Sequence, residues 1–507
     1  MSSPNTEHKI TWSLVWATLV SCMSTLQFGF HLAVFNAPQA ILSCHKSIPG
    51  PFPSYEDTFW GHLNLDQCIR MGPTSTAYIN TMFTLGGLIS STIVGFRTVN
   101  GNFGRKHLQK ISAFTFFLGS ALISISKNVF CLESGRLLTG FAAGSSMVTA
   151  PILVSELTPY NHRGLMGSLL QFGVAIGILF AQLIAFLWSN DQQWRNLFVA
   201  GAFLGLLQFA LMFTTVESPK WLIMERGDVS GASEILHSVR TNKLATRHEI
   251  NHYRSLSSVE PSRNSETAHL LKSQGEIASS PFVDTIGADP QPEPATSSFA
   301  NYVSQAKYRK EWIAVTIIMT AQQLCGMNAI TFYGVSVLSN VVPASTNVLI
   351  LTSSLALTNV VSALAVSPFI DKWGRKPFLL LSVGCMATCS VVISAGLIQQ
   401  KDAIAALGCF GFVVAYSIGL GQIPFLMVSE LSSSEAVGVA QSFGTSLNWM
   451  ANICVAFMFP ILQELLHGWV FFVFFVLGVF YFGAISWYVP ETRGKAEYHE
   501  IWHGFVS

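Results

Sequence analysis

Carboxamide side chains lie inside stretches of this sequence that are otherwise apolar, and their chemistry suits the binding of a polar molecule. Each carboxamide offers two N–H donors and one carbonyl acceptor without carrying a net charge. Such groups are costly to place against lipid, so they are expected to face a cavity or one another. The set is Gln171, Gln322, Gln323, Asn328, Asn359, Asn448 and Asn452.

Neutral amides of this kind favour a ligand made of hydroxyl groups, such as a sugar. A hydroxyl both donates and accepts, so an amide can match it without stripping water from a charge. The alternative is that some of these amides only join helices, which contributes roughly 1 kcal/mol per bond in membranes. Gly326 separates Gln322 and Gln323 from Asn328. A slight distortion of the helix there would turn all three toward one lumen.

The elements that carry these amides are predicted to be membrane-spanning helices. Of the 507 residues, 50% are hydrophobic and 11% are charged, whereas soluble proteins carry about 25% charged residues. Apolar runs of roughly 20 residues can cross the hydrocarbon core, and backbone groups in lipid must pair internally, which favours helices. Twelve spans are predicted, at 11–35, 77–99, 108–126, 132–155, 165–188, 195–216, 312–340, 347–370, 377–398, 404–430, 437–462 and 468–489.

Three short motifs occur twice, which indicates a duplicated unit. Gly-Arg-Lys begins at Gly104 and again at Gly374, Val-Ser-Glu-Leu contains Glu156 and then Glu430, and Glu217 has a counterpart in Glu491. The spacings are 270, 274 and 274 residues. Duplicated units in membranes build transporters with a site between the two halves. The predicted domains are an N-terminal six-helix bundle at 1–216, a linker at 217–311 and a C-terminal six-helix bundle with a short tail at 312–507.

The distribution of Lys and Arg predicts the orientation in the membrane. Short loops on one side hold most of the basic residues, including Arg105 and Arg375, so this side and both termini are predicted to be cytoplasmic. Within the linker, 220–254 is expected to form short amphipathic helices. The stretch at about 255–300 is expected to be disordered, either as a bare connection or as a region regulated by phosphorylation.

Several classes of site are not expected. The sequence shows no Cys/His cluster with metal-ligand spacing, no nucleophile–base pair and no phosphate loop, so no metal, cofactor or enzymatic activity is predicted. The net charge of +1 gives no indication of nucleic-acid binding. Cys44 and Cys68 share the one long loop predicted to be exterior, where they either form a disulfide or remain free thiols. The membrane is either the plasma membrane or a vacuolar or other internal membrane.

Longer motifs extend over nearly the whole chain. They are Gly135-Arg-Leu, Arg163-Gly, Gln171-Phe-Gly-Val-Ala-Ile-Gly, Glu217-Ser-Pro-Lys, Gln322-Gln-Leu-Cys-Gly-Met-Asn, Asn448-Trp and Pro490-Glu-Thr-Arg-Gly. In this order and spacing, the sequence resembles the sugar porter family of the major facilitator superfamily, which includes the facilitative glucose transporters. The resemblance implies two six-helix bundles and alternating access around a central sugar site. It places sugar contacts at Gln171, Gln322, Gln323, Asn328, Asn359, Asn448 and Trp449.

Two helix segments are candidate gates. Gly419-Leu-Gly421-Gln-Ile-Pro424 should bend or unwind the tenth span, either as a moving gate or as a plain proline kink. Phe332 and Tyr333, just past Asn328, are either an outer gate or packing aromatics.

Charged residues at the cytoplasmic ends of the helices form a third candidate gate. Ion pairs between neighbouring helices there could hold the inner side closed, and opening would break some of them. The alternative is an ordinary excess of basic residues on the inside, which does not explain the interleaved glutamates. The set is Arg105, Glu156, Arg163, Glu217, Lys220, Asp371, Arg375, Glu430, Glu491 and Arg493.

Some positions depart from the pattern of the family. Ser417 stands where glucose transporters commonly have a glutamate, Phe425 replaces a pocket tryptophan and Val437 replaces an arginine of the cytoplasmic network. The first basic motif also lacks its acidic-basic opening and has Gly101-Asn102 instead. These changes weaken the expectation of glucose as the substrate and suggest an altered inner latch.

His31 is the sharpest departure, because proton-coupled relatives carry an aspartate there and uniporters often carry an asparagine. Relatives pair this position with an arginine matching Arg136. A neutral imidazole could hydrogen-bond a sugar or Arg136 without moving protons, so facilitated uniport of a hexose is predicted. Proton symport through His31, transport of a polyol such as inositol, and a sugar sensor without flux are the alternatives.

Overall fold

The computed structural model describes residues 10–99, 103–159, 162–242, 246–247, 249–251, 253–254, 299–339, 345–433, 436–493, 495 and 498–502. Over these residues the secondary structure is helical, with no strand. The α-helices are α1 Trp12–Ala33, α2 Gln39–Leu42, α3 Phe59–His62, α4 Pro73–Val99, α5 Arg105–Ser124, α6 Val129–Leu157, α7 Arg163–Trp188, α8 Trp194–Leu211, α9 Pro219–Arg226, α10 Val229–Val239, α11 Phe299–Ser304, α12 Arg309–Leu324, α13 Met327–Ser339, α14 Ser345–Trp373, α15 Arg375–Ile398, α16 Asp402–Ile418, α17 Ile423–Leu431, α18 Val437–Leu466, α19 Val470–Tyr488 and α20 Tyr498–Trp502.

Ten stretches of the described residues are long and apolar enough to cross a membrane. One of them, Val437–Tyr488, contains both α18 and α19. Helix α5 is less apolar because Arg105 and Lys106 lie in its first turn, but it packs against α6 and α8 like the other spans. Together these segments make six spans before the linker and six after it.

The two halves pack in the same pattern. In the first half, α4 and α5 pack on α6, α5 packs on α8, and α1 packs on α7. In the second half, α14 and α15 pack on α16, α15 packs on α19, and α12 packs on α18. The halves meet mainly through α4 with α18 and α7 with α14. Helix α4 corresponds to α14, and α7 corresponds to α18. The α4–α18 and α7–α14 contacts are therefore equivalent, and the two bundles are related by an approximate twofold axis.

Glycines allow the paired helices of the first half to approach closely. A Cβ atom at Gly29 would lie 2.1 Å from the carbonyl oxygen of Val174, and one at Gly177 would lie 2.0 Å from that of Leu26. These contacts hold α1 against α7. Lipid chains are as apolar as leucine and provide little hydrophobic drive between helices, so close packing of small residues must stabilise them.

One end of the molecule, called here the charged end, carries the starts of α5 and α15. The linker helices α9 and α10 lie at this end, where Ile223 and Leu236 pack against Leu14 of α1 and Leu157 of α6. The start of α1 and the segment after α19 both reach the charged end. Residues 255–298 of the stretch predicted to be disordered lie outside the described residues.

The opposite end, called here the disulfide end, carries the long loop between α1 and α4. Cys44 and Cys68 form a disulfide there, with a Cα–Cα distance of 5.5 Å. The sequence alone left this pairing open, and the structure decides it. Arg195 at the start of α8 donates hydrogen bonds to the carbonyl oxygens of Ser124 and Asp66, which ties the loop to the first bundle.

Candidate substrate-binding cavity

Two spans of the second half are interrupted at mid-length. Helix α12 ends at Leu324 and α13 begins at Met327, with Gly326 between them at φ +102°. Helix α16 ends at Ile418 and α17 begins at Ile423, which confirms the predicted break at Gly419, Gly421 and Pro424. A positive φ is strained for residues with a Cβ atom. A Cβ atom at Gly326 would also lie 2.7 Å from the Phe474 ring.

A cavity lies between the two halves beside both breaks, with about 600 Å³ of space that is partly open to solvent. It is lined by all seven residues predicted to contact substrate, namely Gln171, Gln322, Gln323, Asn328, Asn359, Asn448 and Trp449. Within the described part of the chain, no acidic, basic or histidine side chain lines this cavity. Its polar groups are therefore neutral.

Four of the amides form one hydrogen-bonded network. Asn448 donates from Nδ2 to Gln322 Oε1 at 2.8 Å and to the carbonyl oxygen of Met319 at 2.9 Å. Gln323 donates from Nε2 to Asn448 Oδ1 at 2.9 Å, and Asn328 donates to Gln323 Oε1. Gln322 Nε2 donates to the carbonyl oxygen of Leu420, in the break between α16 and α17, at 2.8 Å. The network therefore connects both helix breaks to α18.

The remaining amides leave hydrogen-bonding groups free for a ligand. Gln171 is partly buried and makes no hydrogen bond among the described residues. Ser417 Oγ lies 2.7 Å from Asn359 Oδ1 and 2.8 Å from the carbonyl oxygen of Val413, and its single hydroxyl proton serves one of them. Beyond Ser417, the Asn359 side chain has no hydrogen-bond partner among the described residues. Ser417 thus stands at a family glutamate position as a buried residue that holds Asn359 in place.

Aromatic residues close one side of the cavity. Trp449 lies against α4, where a Cβ atom at Gly87 would come within 2.6 Å of the indole ring. Phe28 of α1 meets the Trp449 ring edge-on at a centroid distance of 5.7 Å. Trp449 belongs to the second half and both of its neighbours to the first, so this contact crosses the interface between the halves.

His31 and Arg136 do not line the cavity. The His31 ring stacks on Phe116 at a centroid distance of 5.1 Å, and its Nε2 lies 3.2 Å from Ser120 Oγ. Both neighbours belong to α5, inside the first bundle. Arg136 Nη1 donates to the backbone carbonyl oxygen of His31 at 2.7 Å. The expected pairing of positions 31 and 136 is present, but it runs through the backbone.

Comparison with known proteins identifies the family. The family model described as sugar (and other) transporter matches residues 16–502. The chain belongs to this family. Its sequence is 33% identical to a probable metabolite transport protein of Saccharomyces cerevisiae over 99% of this chain and 98% of that protein. It is 26% identical to the facilitated glucose transporter member 2 of solute carrier family 2 from Gallus gallus. This match covers 98% of this chain and 94% of that protein.

A solved structure shows the same fold. It is a proton:xylose symporter of the major facilitator superfamily bound to 6-bromo-6-deoxy-D-glucose, with a TM-score of 0.71 and 20% identity over 95% of this chain and 97% of that chain. The sugar (and other) transporter described here is therefore an integral, multi-pass membrane protein. It has the two six-helix bundles of the major facilitator fold.

At its charged end, the transporter uses two glutamates in the same way. Glu217, after α8, accepts the backbone N–H of Lys106 at 2.9 Å, and Glu491, after α19, accepts that of Arg375 at 2.9 Å. A carboxylate at a helix N-terminus satisfies free N–H groups and the positive end of the helix dipole. A Cβ atom at Gly374 would lie 2.7 Å from the Glu491 carboxylate, which explains why the repeated motif begins with glycine.

Arginine–glutamate pairs repeat the same symmetry. Arg105 of α5 lies 3.1 Å from Glu156 of α6, and Arg375 of α15 lies 3.1 Å from Glu430 of α17. Both pairs join helices within one half. Lys220 and the Arg493 side chain form no ion pair among the described residues. The side chains of Arg163 and Asp371 lie outside the described residues.

The residues of the candidate outer gate are packed inside the protein. Phe332 and Tyr333 are buried, and the Tyr333 hydroxyl donates to the carbonyl oxygen of Ala456 at 2.7 Å while its ring stacks on Phe459.

The cavity also contains residues that the sequence did not reveal. Thr331 and Tyr416 line the cavity but were not predicted to do so. Their nearness to the two helix breaks is the only sequence signal that pointed to them.

Proposed function

We propose that this transporter carries a hexose or a similar neutral sugar across the membrane by alternating access, as a uniporter. The observation that supports this most directly is the cavity between the halves, whose described polar lining consists of amides, hydroxyls and an indole. Such groups can hydrogen-bond the hydroxyls of a sugar, while a charged substrate would lack a counter-charge there. Gln171 and Asn359 carry free groups for this purpose on opposite halves of the protein.

Alternating access is supported by where the helices are interrupted. The breaks at Gly326 and at Gly419–Pro424 both adjoin the cavity, and both are linked to it through Gln322 and its network. Discontinuous helices at a central site absorb the gating motion in transporters of this architecture. Following the positive-inside rule, we propose that the charged end faces the cytoplasm. Its glutamates and arginines would then hold each bundle rigid while the bundles rock.

Uniport is favoured over symport by the position of His31. Its ring points toward α5, with Ser120 and Phe116 as neighbours, and not into the cavity. Proton coupling through His31 would require a route from that position to the bound sugar, and the described cavity lining holds no carboxylate to provide one. Movement of sugar without protons follows most simply from this arrangement.

Purified protein in liposomes tests the proposal. Uptake of radiolabelled glucose, xylose, fructose and myo-inositol would be measured with and without an imposed pH gradient. We expect saturable uptake of at least one hexose or pentose, with no accumulation driven by the gradient. Gradient-driven accumulation that disappears in His31→Asn would show symport instead. Saturable binding without flux for every compound would show a sensor, and preferential uptake of inositol would show a polyol carrier.

A further inference from the structure

Arg136 of α6 is completely buried and forms no ion pair with any residue that the structure describes. Among those residues, its one hydrogen bond runs from Nη1 to the His31 carbonyl oxygen, and its Nε and Nη2 atoms have no hydrogen-bond partner. In a guanidinium group, Nη1 lies on the side of Cδ, so Nε and Nη2 share the other edge with parallel N–H bonds. That edge has the geometry that binds an anion with two hydrogen bonds.

The aromatic neighbours of Arg136 stabilise its charge only in part. Its guanidinium carbon lies 4.4 Å from the centroid of the Phe83 ring and 5.5 Å from that of Phe35. Cation–π contacts of this kind contribute less stabilisation than the removal of a charged group from water costs. Ring faces also accept no hydrogen bond in the plane of the guanidinium. Its free edge therefore still needs an acceptor.

Further polar groups surround this position. Asn80 of α4 is buried and faces the Tyr333 hydroxyl, and its Oδ1 has no other hydrogen-bond partner among the described residues. The Tyr333 hydroxyl, from the second half of the protein, interacts electrostatically with both Asn80 and Arg136. The site thus combines a charged donor pair, an amide and a hydroxyl, and it is completed only where the two halves meet.

We propose that Arg136 and Asn80 bind a small inorganic monovalent anion, such as chloride. The Nε/Nη2 edge of Arg136 supplies two hydrogen bonds and the compensating charge, and the N–H of Asn80 that does not face Tyr333 supplies a third. Arg136 is completely buried, which favours a small ion over an organic anion. Because Tyr333 belongs to the other half, the anion stabilises the arrangement in which the two halves meet at this site.

The thermal unfolding midpoint of the detergent-solubilised protein tests this in chloride, bromide and gluconate at equal ionic strength. A ligand that binds only the folded state raises the midpoint in a saturable way. We expect a rise of a few degrees with chloride or bromide over gluconate. Equal midpoints in all three salts would overturn the proposal and leave the aromatic rings as the partners of Arg136.

Three variants locate the effect. Arg136→Lys keeps the charge but removes the paired N–H edge, so the halide shift should disappear. His31→Asp places a carboxylate beside Arg136, so this variant should fold with a midpoint independent of halide. Arg195→Lys is the matched control, because buried Arg195 already donates to backbone carbonyl oxygens, and it should keep the full shift. If halide still raises the unfolding midpoint of both Arg136→Lys and His31→Asp, the assignment is contradicted.

A crystal grown in bromide gives the direct view. An anomalous peak at the Nε/Nη2 edge of Arg136 supports the proposal. The absence of a peak refutes it if the crystal is grown at a bromide concentration that saturates the shift of the unfolding midpoint in solution. None of these measurements uses sugar transport. A failure of the anion site therefore leaves the proposed transport of sugar untouched, and the reverse also holds.

Discussion

The two halves of this transporter are nearly identical at the charged end and very different at the cavity. Glu217 and Glu491 accept backbone N–H groups at the start of corresponding helices, and Arg105 and Arg375 pair with corresponding glutamates at 3.1 Å. At mid-membrane the symmetry ends. The second half supplies six of the seven predicted contact residues, whereas the first half supplies Gln171.

The helices follow the same division. Both interrupted spans belong to the second half, while α1 and α6, their counterparts, run without a break. The first half instead buries a polar cluster within its own bundle, where Gln208 bonds both Gln27 and Ser24. We propose that the repeated motifs build a shared frame, while substrate contact and movement are concentrated in the second half.

The largest expected effect comes from Asn448, at the centre of the amide network. Asn448→Leu removes its hydrogen bonds to Gln322, Gln323 and Met319 and leaves buried partners unpaired, at about 1–3 kcal/mol for each. We expect sugar uptake at low substrate concentration to fall roughly 100-fold, which corresponds to nearly 3 kcal/mol. Uptake into liposomes and sugar binding followed by Trp449 fluorescence would measure this.

Asn452→Leu is the control for Asn448→Leu. Asn452 lies on the same helix and also lines the cavity, but it makes no hydrogen bond among the described residues. Its loss should therefore be several-fold smaller. Equal losses in the two variants would show that the amide network does not organise the site.

The second effect concerns the break at Gly326, which is found only in the second half. Gly326→Ala forces a side chain into the left-handed region, which costs roughly 1–2 kcal/mol, and pushes its Cβ atom into Phe474. We expect a lower unfolding midpoint. We also expect uptake to be about tenfold slower, because a rise of about 1.4 kcal/mol in the activation barrier for transport lowers the rate tenfold. Gly483→Ala on α19 has open space around it and should behave like the parent protein. A Gly326→Ala protein with normal uptake would show that this break does not move during transport.

The third effect tests the single contact from the first half. Gln171→Ala removes only hydrogen bonds to the substrate, so KM should rise about 3- to 10-fold, as expected for one or two neutral hydrogen bonds of about 0.5–1.5 kcal/mol. The unfolding midpoint without sugar should stay unchanged. A lower midpoint with an unchanged KM would mean that Gln171 only joins helices.

The smallest effect tests the symmetry of the charged end. Arg105→Gln and Arg375→Gln each break one ion pair whose side chains are only 11% to 25% exposed, so each should cost about 1 kcal/mol of unfolding free energy or somewhat more. The two losses should be similar and should shrink as salt is added. Chemical unfolding at low and high salt would measure both. A much larger loss in one half would contradict the view that both motifs stabilise their bundles alike.

Much of the cavity follows from the sequence because its amides stand out against apolar surroundings. The glycine at position 326 also predicts the distortion that turns Gln322, Gln323 and Asn328 toward one space. The sequence does not indicate that Ser417 holds Asn359, because the two residues belong to different helices. It also suggests ion pairs as a latch at the charged end, whereas Glu217 and Glu491 bond backbone N–H groups more than a hundred residues away.

The sequence by itself determined the number of spans, the duplication and the identity of the buried amides. These features depend on local hydropathy and on motif spacing, which can be read along the chain. Only the tertiary structure decided which amide atoms stay free, which way the His31 ring points and that Arg136 keeps an unpaired edge. Each of these depends on contacts among atoms from several helices. Such contacts join residues that are far apart in the sequence and produce no local or periodic pattern in it.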